Sequence, residues 1–185
     1  MDFTLLDKET ESTFQEIIRR IHRLQSGGTI DSLREIGANI EKQIGASYVS
    51  LKNLAAAYEP NESLAFLLWN EQRREEQIIA CFLLPSTINK EKITQLILSC
   101  LNFEIAGYFG SLYLYRSLHL STTANEWLDS NIPFLQLATL SALTRYLILN
   151  KEENPIFRDL FQKAVDRKYE DKYVQMVAKR YRFNI

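Results

Sequence analysis

Long apolar runs are absent. None approaches the about 18 residues that a membrane-spanning helix needs, so no membrane span is expected. Glycine (6) and proline (4) are scarce, which suits an all-helical chain and leaves no linker or low-complexity tract to set off a second domain. The two cysteines, Cys81 and Cys100, lie on apolar helix faces without metal-ligand spacing. They read as buried thiols of a reducing compartment, and a cytoplasmic location is expected. The two histidines, His22 and His119, are far apart and belong to no motif, so they read as ordinary surface or helix-end residues. Neither a metal nor a cofactor is expected. The polar, acidic start of the chain lacks the hydrophobic region of a signal peptide. There is no glycine-rich phosphate loop, no HExxH and no G-x-S-x-G. No stretch alternates for long enough to make a half-buried strand; Ile78–Leu84 has a strand-like composition, but its spacing and the Arg74-Glu75-Glu76 before it favour a helix.

What is present is an ordinary globular mixture, 46% hydrophobic and 24% charged over 185 residues. It is read as one domain, residues 1–185. Net charge is −1, unevenly spread: residues 1–76 hold 9 Lys/Arg against 13 Asp/Glu, and residues 145–185 hold 10 against 6. The basic end can meet phosphates or can be a solvated pair of helices.

Helical spacing recurs along the chain. Phe14, Ile17, Ile18, Ile21 and Leu24 predict a helix over about 9–25, stopped by Ser26-Gly27-Gly28. Thr29 or Asp31 can cap a second, with Leu33, Ile36, Gly37 and Ile40 inward. Ser47 caps a third through Leu51, Leu54, Ala55 and Tyr58, which Glu59-Pro60-Asn61 ends. Leu64, Leu67 and Leu68 make a fourth, closed by Trp69. A fifth starts near Arg74, turns Ile78, Ile79, Phe82 and Leu83 inward, and stops at Pro85. Asn89 caps a sixth, and Ile105, Tyr108, Phe109 and Leu112 mark a seventh. Thr123-x-x-Glu126 looks like a capping box opening an eighth, with Ala124, Trp127 and Leu128 inward. Phe134–Leu149, apolar nearly all round, is expected to be the central buried helix. Asn154-Pro155 opens a tenth with Ile156, Phe157, Leu160, Phe161, Ala164 and Val165 on one face. Tyr173, Val174, Val177, Ala178 and Tyr181 line the last. About eleven helices on short turns imply antiparallel neighbours stacked in pairs, with a curved, concave face.

The stretch Ile44–Pro85 also carries a likeness. Its order Ile44-Gly45-Ala46-Ser47, Leu51-x-x-Leu54-Ala55, Leu64-Ala65-x-x-Leu68-Trp69, Arg74-Glu75-x-x-Ile78-Ile79-Ala80 resembles the DNA alkylation repair proteins, the AlkD-like glycosylases. The resemblance implies an all-α fold of HEAT-like helix pairs in a curved superhelix, an α-solenoid. A second likeness joins Asn102-Phe103-Glu104-Ile105-Ala106-Gly107 to Trp127-Leu128-x-Ser130-Asn131-x-x-Phe134. In that family the corresponding stretches carry a tryptophan, a catalytic aspartate and an arginine pair. The carboxylate stabilises the cation that develops on the sugar as the base leaves.

This chain departs at each of those positions. The tryptophan position is Phe103, the carboxylate position is Gly107, and the arginine pair falls on Gln136 and Leu137. Gln77, Met176 and Arg180 stand where the family has an arginine, a lysine and a tryptophan. No catalytic residue is therefore expected. Glu104, nearly one turn before Gly107, is a weak stand-in and reads more simply as a solvated first-turn acid. Phe103, Arg145, Lys179, Arg180 and Arg182 are the candidate nucleic-acid- or partner-binding residues. Trp69 and Trp127 read as core, whereas Tyr108, Tyr113 and Tyr115 cannot all face inward. The resemblance implies a degenerate relative that binds duplex DNA through the concave face and the basic C-terminal helices. The alternatives are a protein- or peptide-binding scaffold without activity, and, last, an active glycosylase with relocated residues.

Overall fold

Most helices here begin on a short polar side chain that takes up free amides of the first turn, the need every helix start has. The computed structural model describes residues 7–25, Ile30, 41–150 and 155–183. Among these the regular structure is entirely helical, with ten α-helices and no strand. No described helix is long and apolar enough to cross a membrane. The expected helix around Leu33–Ile40, the Ser26-Gly27-Gly28 stop and the Asn154 cap lie outside the described residues. The chain divides into two compact units, residues 1–85 and 86–185.

The first unit contains α1 (Lys8–Arg23), α2 (Tyr48–Ala55), α3 (Glu62–Asn70) and α4 (Arg74–Leu83). Asp7, Ser47 and Asn61 cap α1, α2 and α3 by accepting from the amides of Thr10, Ser50 and Leu64. α4 packs along α3 and against α2, and α1 lies on α3. Ile17, Leu51, Leu68, Trp69, Ile78 and Ile79 fill the space between them, each 2% exposed or less. α4 has no side-chain cap; its first turn binds another segment instead. The buried Glu75 carboxylate accepts from the amides of Ile44, Gly45 and Ala46 at 3.3, 3.1 and 3.2 Å. The Arg74 amide donates to the Lys42 carbonyl, and its guanidinium to Ala46 O. Gly45 has a φ of 75°, which permits the turn that aims these amides at one carboxylate.

The second unit contains α5 (Lys90–Leu98), α6 (Phe103–Tyr108), α7 (Leu120–Asp129), α8 (Pro133–Leu149), α9 (Pro155–Asp166) and α10 (Lys172–Arg182). Asn89, Asn102 and Asp171 cap α5, α6 and α10. α8 runs through the middle and touches every other helix of the unit. Leu135–Thr144 are buried without a break, as expected of an all-round apolar helix. Its polar residues are tolerated because Thr139 and Thr144 donate to carbonyls one turn back, at 2.8 and 2.7 Å. Cys81 in the first unit and Cys100 in the second are both buried free thiols.

Three local expectations are corrected. Thr123 is not an N-cap: α7 begins at Leu120, and Thr123 is buried inside it, donating to the His119 carbonyl. The expected seventh helix does not run on to Leu112; after Tyr108 it widens into a π turn (Phe109–Tyr113) and then a 3-10 turn (Leu114–Arg116). The widening falls where Gly110 lies against the α8 backbone at Ala138. Ile156 and Tyr173 are not inward but 61% and 42% exposed; each sits in the first turn of its helix, and the burial of α9 and α10 begins further on, at Leu160 and Val174.

Candidate nucleic-acid interface

Three helices of the second unit lie side by side and run in the same direction, as their paired residues show. Phe103 at the start of α6 meets Phe134 at the start of α8, edge-on at 5.1 Å, and stacks on Tyr173 at the start of α10 at 4.9 Å. Further along, Gly107 of α6 lies beside Ser141 of α8, and Ser141 shares a 3.3 Å hydrogen bond with Tyr181 of α10. On α8 the residues Phe134, Ala138, Ser141 and Arg145 follow at steps of four, three and four, so they form one stripe. On α10 the same arithmetic places Arg180 two turns beyond Tyr173 on a common flank. The strip thus runs from aromatic rings, through hydroxyls, towards arginines.

The candidate residues divide on this frame. Phe103 is half-buried and belongs to the aromatic trio. Arg145 is half-buried, and its Nε is enclosed without a hydrogen-bond partner among the described residues. Lys179 and Arg180 are both exposed, about 100° apart around α10. Lys179 lines a shallow groove of about 390 Å³ with Tyr169, Glu170, Lys172, Gln175 and Met176. Arg182 is engaged inside the fold: its guanidinium pairs with Asp166 and donates to Val165 O at 2.9 Å, tying α10 to α9.

Of the positions read above as departures, Met176 and Arg180 are exposed, while three others are not on an accessible face. Gln77, Gln136 and Leu137 are 0%, 5% and 2% exposed. Gln136 donates to the carbonyls of Leu128 and Ser130, fastening α8 to the end of α7. A cationic side chain at these positions would be in the core. Gly107 is different: a Cβ there would meet nothing closer than Ser141 Oγ, at 3.9 Å. Glu104 is exposed, one turn before it.

Sequence reasoning did not find Tyr173 as a partner of Phe103, nor the Ser141–Tyr181 pair. The step of seven from Tyr173 to Arg180 was the available sign. No group of three or more His, Cys, Asp or Glu that could hold a metal occurs among the described residues. Comparison with protein-family models, with curated proteins and with solved structures finds no match.

Proposed function

We propose that the protein is a catalytically degenerate, HEAT-like relative of the DNA alkylation repair proteins that binds duplex DNA through the α6–α8–α10 strip. The observation that carries this reading is Arg145. Arg145 lies one turn beyond Ser141 on the α8 stripe and is half-buried; its Nε is enclosed, but its terminal guanidinium nitrogens, which bond to no described residue, are suited to a phosphate oxygen. Arg180 adds an exposed cation, and Phe103, Phe134 and Tyr173 give flat apolar surface along the same strip. Gly107 is why catalysis is absent from the proposal: no carboxylate stands at that position to stabilise a sugar cation. A missing group of that kind costs about 3–4 kcal/mol in the barrier, roughly two to three decades in rate.

Fluorescence anisotropy with a labelled duplex tests the binding. Affinity is expected to fall with salt, and Arg145→Ala and Arg180→Ala are each expected to reduce the log–log salt slope by about 1. Arg182→Ala is expected to leave that slope unchanged, since its charge is already paired. Binding that ignores both salt and Arg145→Ala would sink the proposal. Incubation with alkylated duplex is expected to release no base above the spontaneous rate. Turnover that Glu104→Gln abolishes would instead make Glu104 the working carboxylate. The scaffold reading draws on the groove beside α10, where Met176 is 55% exposed among Tyr169, Gln175 and Lys179. It requires peptide binding that salt hardly weakens.

A further inference from the structure

In the first unit a cleft of about 440 Å³ opens between the end of α1 and the middle of α2. It lies in the size range of small-molecule sites. Its walls are Arg20 and Arg23 from one helix, Ser50 and Asn53 from the other, and the aliphatic side chains of Leu24 and Leu54. Arg20 to Arg23 and Ser50 to Asn53 are each a step of three, so each pair projects from one side of its helix. Among the described residues the lining contains two cations and two neutral hydrogen-bonding groups, and no carboxylate.

One of the two cations is held in place. The Tyr58 hydroxyl accepts from Arg20 Nη1 at 2.9 Å and donates to the Glu16 carboxylate at 2.8 Å. Glu16 also pairs with the same Arg20 nitrogen at 3.3 Å. Tyr58 and Arg20 together keep the Glu16 carboxyl below its ordinary range, so the triad stays charged and ordered. Arg20's other guanidinium nitrogens bond to no described residue, and neither do the side chains of Arg23 and Asn53. The preorganised guanidinium and the unfilled donors therefore lie around one space with an apolar wall.

We propose that this cleft is a binding site for a phosphomonoester with a small apolar body. The phosphate would sit between Arg20 and Arg23, with Ser50 and Asn53 satisfying its remaining oxygens and Leu24 and Leu54 against the carbon portion. A terminal phosphate fits better than a carboxylate, because its three free oxygens match a ring of several donors rather than a single guanidinium fork. The proposal does not depend on nucleic-acid binding by the second unit.

Titration of the whole protein with phenyl phosphate, followed by calorimetry and by the amide resonances of α1 and α2, tests it. Saturable binding is expected, with shifts concentrated at Arg20–Leu24 and Ser50–Leu54. Arg23→Ala is expected to weaken it about tenfold, the loss of one charge-assisted contact. Tyr58→Phe, which frees Arg20 without removing a cation from the cleft, is expected to weaken it by a smaller factor. Arg180→Ala serves as the control and is expected to change nothing. Three results would overturn the proposal: no saturation; equal affinity in Arg23→Ala; or tighter binding of an unphosphorylated-end oligonucleotide, which offers only diesters.

Discussion

Replacing Glu76 with glutamine is expected to make the protein more stable above neutral pH, by up to roughly 3 kcal/mol, and to leave stability below about pH 4.5 nearly unchanged. Glu76 lies in the first turn of α4 and is 3% exposed. Burial pushes its carboxyl from the ordinary 4.5 up to about 7. The neighbouring Glu75 charge and Glu71 push the same way, while its own backbone amide and Arg73 oppose them. The sign follows from proton counting. Below the unfolded value both states are protonated and the residue contributes nothing. Between that value and about 7 the unfolded chain has released a proton that the folded chain keeps, so stability falls as pH rises. Above it the loss is complete.

Glutamine keeps the shape and removes the ionisation. Urea midpoints of the two proteins, compared from about pH 4 to about pH 8, read the difference directly. The comparison also cancels Asp7 and Glu16, whose lowered values stabilise at high pH and lose that effect on acidification. A gap that stays constant across the range would mean that Glu76 does not titrate there.

The second large effect is expected at Gly110. A Cβ built there would lie 2.7 Å from Ser141 Cβ and 3.0 Å from the Ala138 carbonyl carbon, and closer still to that carbonyl's oxygen. The obstruction is backbone in the middle of the buried α8, so relief requires moving a helix that seven neighbouring elements hold, the π turn among them. Gly110→Ala is therefore expected to cost about 3 kcal/mol, the upper end for overpacking. Gly107→Ala is the matched control one turn earlier. There the nearest atom is Ser141 Oγ at 3.9 Å, and alanine is expected to stabilise α6 by about 0.5–1 kcal/mol. Thermal unfolding of both variants checks the pair. Equal effects would mean that α6 and the π turn do not approach α8 as described.

These two residues mark where the sequence was legible and where it was not. Helical periodicity found every described helix, and the caps at Ser47 and Asn89 could be read because a capping side chain acts on an amide three residues away. The burial of Leu135–Thr144 could be read because an all-round apolar helix has no face to give to water. Thr123 failed for a physical reason: a threonine followed three residues later by glutamate fits a cap equally well mid-helix, where its hydroxyl turns back to a carbonyl instead. The π turn was invisible because its cause, the approach of Gly110 to Ala138, is a contact between distant residues. The same limit governed the strip. Phe103, Arg145 and Arg180 could be named singly, but their alignment with Tyr173 and Tyr181 depends on three helices running alike. That Arg182 is occupied by Asp166, sixteen residues earlier, could not be read from charge counts at all.

The two cysteines have a consequence for kinetics. Each unit encloses one thiol, Cys81 in α4 and Cys100 just after α5, at 0% and 6% exposure. Burial also holds the Cys100 thiol far above its ordinary range, so it carries almost no thiolate while enclosed. A thiol reagent can therefore react only when the surrounding helices part. The rate at which each sulfur is modified under native conditions reports the opening frequency of its own unit. The chain carries two internal clocks, one per unit, and the ratio of their rates tells whether the units open together or one at a time.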